Sequence, residues 1–245
     1  MNHRSTRFFI SLLITTAWMG ALVAITPADH PARIWVMLGG TMPDGLIQGF
    51  TYLLFVFGMM EILRLNNRIS GEMDAFTLHL LPEKENWILS ADDANQLKQN
   101  VQQVERSHKF FLTDLVKRCC TKYRLSKSSS EVLELTDAQI HIYRSELESE
   151  QSFIRYVAWA IPSVGFIGTV IGISASLEYT SQASTPEGIE RVTTLLAVAF
   201  DTTLIALVLS IFLMYAIHHL QKKQDDLFYR INDYVIENLI NRFYK

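Results

Sequence analysis

The sequence predicts an all-α integral membrane protein, with four transmembrane helices and a helical extension standing in the cytosol. Apolar runs at 8–25, 45–63, 152–177 and 192–217 are each at least 18 residues long. At 1.5 Å per residue such runs match the roughly 20 residues that cross a ~30 Å hydrocarbon core. Charge is segregated from them, since residues 64–150 alone carry twelve Lys and Arg. The overall hydrophobic content of 49% and the mean hydropathy of +0.15 therefore average over two unlike kinds of segment. Within the polar segment, apolar residues recur at helical spacing.

Composition also excludes function classes. A net charge of −3 offers no basic surface for nucleic acid, and no zinc-finger or phosphate-loop spacing occurs. No catalytic constellation, metal site or cofactor motif is found, so no enzyme is expected. The adjacent Cys119 and Cys120 lie in a charged cytosolic segment, which predicts an inert thiol pair rather than a disulfide.

Taken in order, Arg4 and Arg7 precede span one, residues 8–25. The run exceeds the 7 to 15 apolar residues of a signal-peptide core, and Trp18 sits within it, so it reads as a retained helix starting inside. Residues 26–44 hold three of the six prolines and a single Arg, Arg33, and form a short external connection with an interfacial Trp35. Span two, 45–63, ends at Glu61, Arg64 and Arg68, a basic flank expected on the cytoplasmic side. Residues 1–63 are expected to be the peripheral pair of spans, because the small-residue stripes belong to spans three and four.

Residues 64–151 form the cytosolic helical region. Ser90 and Asp93 are spaced as a capping box, and Leu97, Val101, Val104, His108, Phe111 and Leu115 then recur at intervals of 4, 3, 4, 3 and 4, predicting one long helix. Ser128 and Glu131 open a second helix that continues into span three without a breaker. His108 and His141 have no second ligand at metal-binding spacing and read as seam or surface residues. Between spans three and four, residues 178–190 contain three glutamates and no Lys or Arg, as fits an outside loop. His218, His219, Lys222 and Lys223 follow span four, returning the chain to the cytosol. In the tail, 218–245, Leu220, Leu227, Ile231, Tyr234 and Leu239 form an amphipathic face. Both termini are therefore expected inside.

Residues 152–217 hold the informative pair of spans. In span three Pro162, Gly165, Thr169, Gly172 and Ser176 recur at three and four, and Gly168 with Gly172 makes a G-x-x-x-G step. In span four Ala199, Thr203, Ala206 and Ser210 form a matching stripe. Such stripes serve close helix packing, or can line a pore. Asp201 is the sharpest single feature, because a carboxylate in the bilayer costs about 3 kcal/mol even on the lenient insertion scale and must face protein or water. Counting nine residues inward from each outer end sets Asp201 level with Thr169, Thr16 and Tyr52, its expected hydrogen-bond partners. It lies two residues from Thr203, roughly 200° around the helix. Two roles are open: ion handling, or an interhelical tie.

The motifs Pro162-x-x-Gly165 and Gly168-Thr-Val-x-Gly172, with Ala199-Phe-Asp-Thr-Thr203 about 30 residues on, resemble the MotA/TolQ/ExbB proton channel family. The four-span layout is similar to MotA. The resemblance implies a homopentamer in the bacterial inner membrane, surrounding two copies of a single-span subunit with a membrane aspartate and a periplasmic domain. Such a 5:2 stator conducts H+, or Na+, and turns ion flow into rotary work. By position Pro162, Thr169 and Thr203 would line the route beside the partner aspartate. Three positions depart from ExbB and TolQ: their glutamate is Val198 here, a glycine is Ala206, and a proline is Phe212. The driven process could be flagellar rotation, envelope transport, gliding or phage defence. The alternative from a different class is a non-conducting four-span scaffold for envelope or signalling machinery.

Overall fold

The computed structural model describes residues 3–27, 32–41, 45–82, 88–105, 109–182 and 184–243. Among them the regular structure is all helical, with no strand and one isolated bridge between Leu89 and Phe243. The helices are α1 (His3–Ile25), α2 (Arg33–Met37), α3 (Leu46–Met73), α4 (Ala91–Glu105), α5 (Phe111–Ser126), α6 (Ser129–Glu178) and α7 (Pro186–Asn238). Four of them, α1, α3, α6 and α7, are long and apolar enough to cross a membrane. The chain divides into two compact units: 1–63 with 152–218, and 64–151 with 219–245.

In the first unit, register follows from close approaches at glycines. A β-carbon at Gly58 would lie 3.1 Å from Leu213 and 3.3 Å from Val157. One at Gly168 would lie 2.5 Å from Thr202 and 3.1 Å from Ile47. Residues 47, 168 and 202 therefore share one level, and residues 58, 157 and 213 another, about 16 Å away at 1.5 Å per residue. From the upper level α3 has only Leu46 left, whereas α6 runs on to Glu178 and α7 begins as far back as Pro186. The α6–α7 hairpin thus projects beyond the end of α3. Asp201 lies at the hairpin end of α3, level with Thr169 as counting inward predicts, but about one turn or more beyond Tyr52, because α3 ends before α6 and α7 do.

The connection between α1 and α3 is not a plain loop, because it contains α2. Trp35, Met37 and Leu38 pack on a cluster of Leu22, Tyr52 and Ile205, and the Tyr52 hydroxyl donates to the Leu38 carbonyl at 3.1 Å. At the opposite end of the unit, Arg7 pairs with the buried Glu61 at 2.7 Å. The loop prolines Pro31 and Pro43 lie outside the described residues.

In the polar unit the predicted single helix over the 97–115 seam is two helices. The interval spacing is kept on both sides of a break, but Phe110 is extended. Thr113 Oγ1 accepts the Phe110 N–H at 3.1 Å, and Glu72 accepts that of Phe111 at 2.7 Å. These acceptors start a new helix where no Gly or Pro announces one. α4 turns back along α5, as Lys117–Glu105 (2.7 Å) and Arg124–Asn95 (3.3 Å) record. His108 lies outside the described residues, and His141 is exposed on α6. The Ser90–Asp93 capping box is present, with Ser90 N donating to Asp93 at 2.9 Å and Asp93 N to Ser90 Oγ at 3.2 Å. Arg64 and Arg68 both bind Glu150, and burial that would raise its pKa is outweighed by these guanidinium partners, which hold it low. The tail is not separate, since α7 carries Leu220, Leu227 and Ile231 into this core without interruption.

Cys119 and Cys120 are buried, and burial pushes their thiols up to about 11 and about 12. Because the thiolate is the nucleophile, a maleimide or disulfide reagent at pH 8 is expected to leave both unmodified until denaturant is added. Rapid labelling of the folded chain would contradict the buried placement.

Candidate functional site

The two small-residue stripes meet each other. A β-carbon at Gly165 would sit 2.4 Å from that of Ala206, and one at Gly172 2.6 Å from that of Ala199. With no side chain at these positions, the backbones of α6 and α7 come close enough for hydroxyls on one to reach carbonyls of the other. Thr169 Oγ1 lies 3.0 Å from the Ala199 carbonyl, and Thr203 Oγ1 2.9 Å from that of Gly165. The two hydroxyls also hydrogen-bond to each other. The chain from the Ala199 carbonyl through Thr169 and Thr203 to the Gly165 carbonyl has three links but only two protons, because each hydroxyl donates once. One link is always unfilled, so the chain can reverse its polarity by rotating two hydroxyls.

Pro162 and Ser210 form a second crossing. Proline lacks the N–H that would bond the carbonyl four residues back, here Ala158, and Ser210 Oγ donates to that carbonyl at 3.3 Å. Pro162 therefore opens an acceptor on α6 that α7 uses. Ser176 Oγ reaches the Val192 carbonyl at 3.3 Å, extending the polar seam toward the hairpin.

The threonine pair is half-buried. One turn to either side lie exposed apolar residues: Phe166 (64%) and Ile173 (37%) flank Thr169, while Phe200 (62%) and Leu207 (48%) flank Thr203. The site is thus a small polar opening on an apolar face.

Asp201 faces elsewhere. It is 4% exposed, and its Oδ1 accepts from Arg33 Nη2 at 2.9 Å. The expected partners are otherwise engaged, because Thr16 bonds the Leu13 carbonyl at 3.0 Å and Tyr52 that of Leu38. Thr169 is taken up in the seam. Sequence reasoning missed Arg33, although a signal existed: Arg33 is the sole Lys or Arg of 26–45, and Asp201 the sole acid of 191–224.

The family model of the MotA/TolQ/ExbB proton channel family matches residues 96–233, more than half of the 245 residues. The chain belongs to that family. The match covers α5 and α6 in full and most of α4 and α7, including Pro162, Thr169, Asp201 and Thr203, and does not reach α1–α3. No curated protein and no solved structure matches the chain. Membership in the MotA/TolQ/ExbB family, together with four helices of spanning length and hydropathy, makes this a multi-pass membrane protein.

Proposed function

We propose that the chain conducts protons, or sodium ions, across the bacterial inner membrane as a homopentamer around two single-span partner subunits. It couples that flow to mechanical work as a stator. In this reading both termini lie in the cytoplasm, which the basic flanks at Arg4 and Arg7, Arg64 and Arg68, and Lys222 and Lys223 support. The reading involves no enzymatic step and no cofactor beyond the transported ion.

One observation carries it: the Thr169–Thr203 hydroxyl pair, with its unfilled link, at the edge of an exposed apolar face. Five such faces turned inward would make a ring of hydroxyls able to ligate an ion or order water without a permanent charge. The partner's membrane carboxylate would supply the titrating group beside it.

Thr169→Val and Thr203→Val keep shape while deleting the hydroxyls. Each is expected to assemble normally by native mass spectrometry, as a pentamer, and to lower ion flux in sealed vesicles with the partner at least tenfold. Full flux in both, or a monomer or even-numbered ring for the parent, would defeat the proposal.

The second reading, a non-conducting scaffold, is favoured by the fact that every threonine hydroxyl of the seam reaches a carbonyl within the chain. On that reading the valine variants loosen packing and nothing else. A neighbouring gene encoding one transmembrane helix with an aspartate and a periplasmic domain distinguishes the two.

A further inference from the structure

The turn of α7 that gives Thr203 to the seam also carries Asp201, and successive residues engage different neighbours. Asp201 meets Arg33, Thr202 is packed against Gly168, and Thr203 meets Thr169. A rotation or rise of α7 must therefore change the ion pair and the threonine pair together.

The segment bearing Arg33 is firmly seated. Gly39 has φ +91, a β-carbon at Gly45 would lie 2.1 Å from the Gly39 carbonyl oxygen, and one at Gly40 would lie 2.2 Å from Thr26 Oγ1. These approaches, which only glycine allows, fold the connection tightly onto the ends of α1 and α3. Ile205, one turn from Asp201, belongs to the cluster on which α2 packs. The guanidinium is 61% exposed and the carboxylate 5%, so a cation held from outside the bundle compensates a buried acid. The second carboxylate oxygen, Oδ2, is buried with no hydrogen-bond partner among the described residues, which leaves Arg33 as the group that fixes Asp201.

We propose that Arg33 is a positioning residue of the ion route: through Asp201 it sets the rotation and height of α7, and so the alignment of Thr203 with Thr169. Asp201 is then a fixed ionic tie, not the carrier of the transported ion. This inference rests on the proposed conducting role of the threonine pair.

The test uses the full chain with its partner in sealed vesicles, with assembly followed by native mass spectrometry. The variants are Arg33→Gln, Asp201→Asn, the double Arg33→Gln/Asp201→Asn, the exchange Arg33→Asp/Asp201→Arg, Arg33→Lys and Thr203→Val. Arg33→Gln and Asp201→Asn are each expected to slow flux at least fivefold in assembled complexes. The double should be no slower than the slower single, Arg33→Lys should conduct, and the exchange should recover at least half of the flux. A merely structural tie would lower the melting midpoint without slowing flux through complexes that remain assembled. Full flux in Arg33→Gln with none in Asp201→Asn would overturn the inference and give the ion to the carboxylate. Full flux in both singles would overturn it as well. If the exchange does not assemble, the double against the singles decides. Thr203→Val separates the two readings: flux retained there defeats the conducting role, whereas flux lost there but kept in Arg33→Gln defeats only the positioning role.

Discussion

Gly165→Leu is expected to separate α6 from α7 and to abolish both the proposed assembly and the proposed ion-driven activity. Even the first carbon of a side chain at Gly165 would stand 2.4 Å from the Ala206 β-carbon and 3.2 Å from the Thr202 carbonyl oxygen and the Thr203 α-carbon. Two of those three atoms are backbone, so the helix itself would have to move. Overpacking of this kind costs about 1–3 kcal/mol, and more when backbone must shift. The shift would also break the threonine links, each worth on the order of 0.6 kcal/mol within a membrane. A paired variant tests the cause. Gly165→Ala alone should lower the melting midpoint in detergent, and Gly165→Ala/Ala206→Gly should restore it, because the nearest clashing atom is removed. Gly71→Ala is the control, since a β-carbon there meets nothing within 4 Å, and alanine is favoured over glycine inside a helix by about 0.5–1 kcal/mol. Failure of the paired variant to recover, or unchanged assembly in Gly165→Leu, would rule out the close approach as the determinant.

What was legible in the sequence is what rests on local pattern. The apolar runs marked the four long helices, and Ser90 with Asp93 marked the start of α4, because length and capping chemistry are written in neighbouring residues. The small residues Gly165, Gly168, Gly172, Ala199 and Ala206 announce close packing without naming what they pack against; the structure pairs Gly165 with Ala206 and Gly172 with Ala199, and sets Gly168 against Thr202. Long-range facts were not legible. The break before Phe111 depends on Glu72, 39 residues away, so a seam of unbroken spacing concealed it. The level of Asp201 depends on how far α6 and α7 outrun α3, which no single span records. Its partner Arg33 is 168 residues distant, and only the matching of two lone opposite charges hinted at it. The family resemblance places Pro162 beside a route, whereas its effect on the Ala158 carbonyl depends on Ser210, 48 residues on, standing opposite.

Phe228→Ala is expected to remove about 3–5 kcal/mol from the polar unit, the range for truncating a buried aromatic. Phe228 is 1% exposed and stands among the largest fully buried side chains. Its ring stacks on Phe111 with centroids 6.5 Å apart, and the Arg144 guanidinium lies 5.6 Å over its face. Phe111 in turn stacks on Tyr143 at 4.7 Å under the guanidinium of Arg68, 5.4 Å away. Tyr143 donates to Asp114 at 2.6 Å. Removing the ring would leave a cavity beside a stacked pair whose other members are tied by charge and hydrogen bonds, and so are poorly able to collapse into it. Phe228→Leu keeps most of the volume but loses the stack, worth about 0.5–1.5 kcal/mol, and the cation contact, worth about 0.5–1 kcal/mol, and should cost less than alanine does. Melting followed by intrinsic fluorescence reads both, with alanine expected to lower the midpoint by more than 10 °C at about 4 °C per kcal/mol. Equal losses for leucine and alanine would assign the stabilisation to the ring's stacking alone, and no loss in either would remove Phe228 from the core.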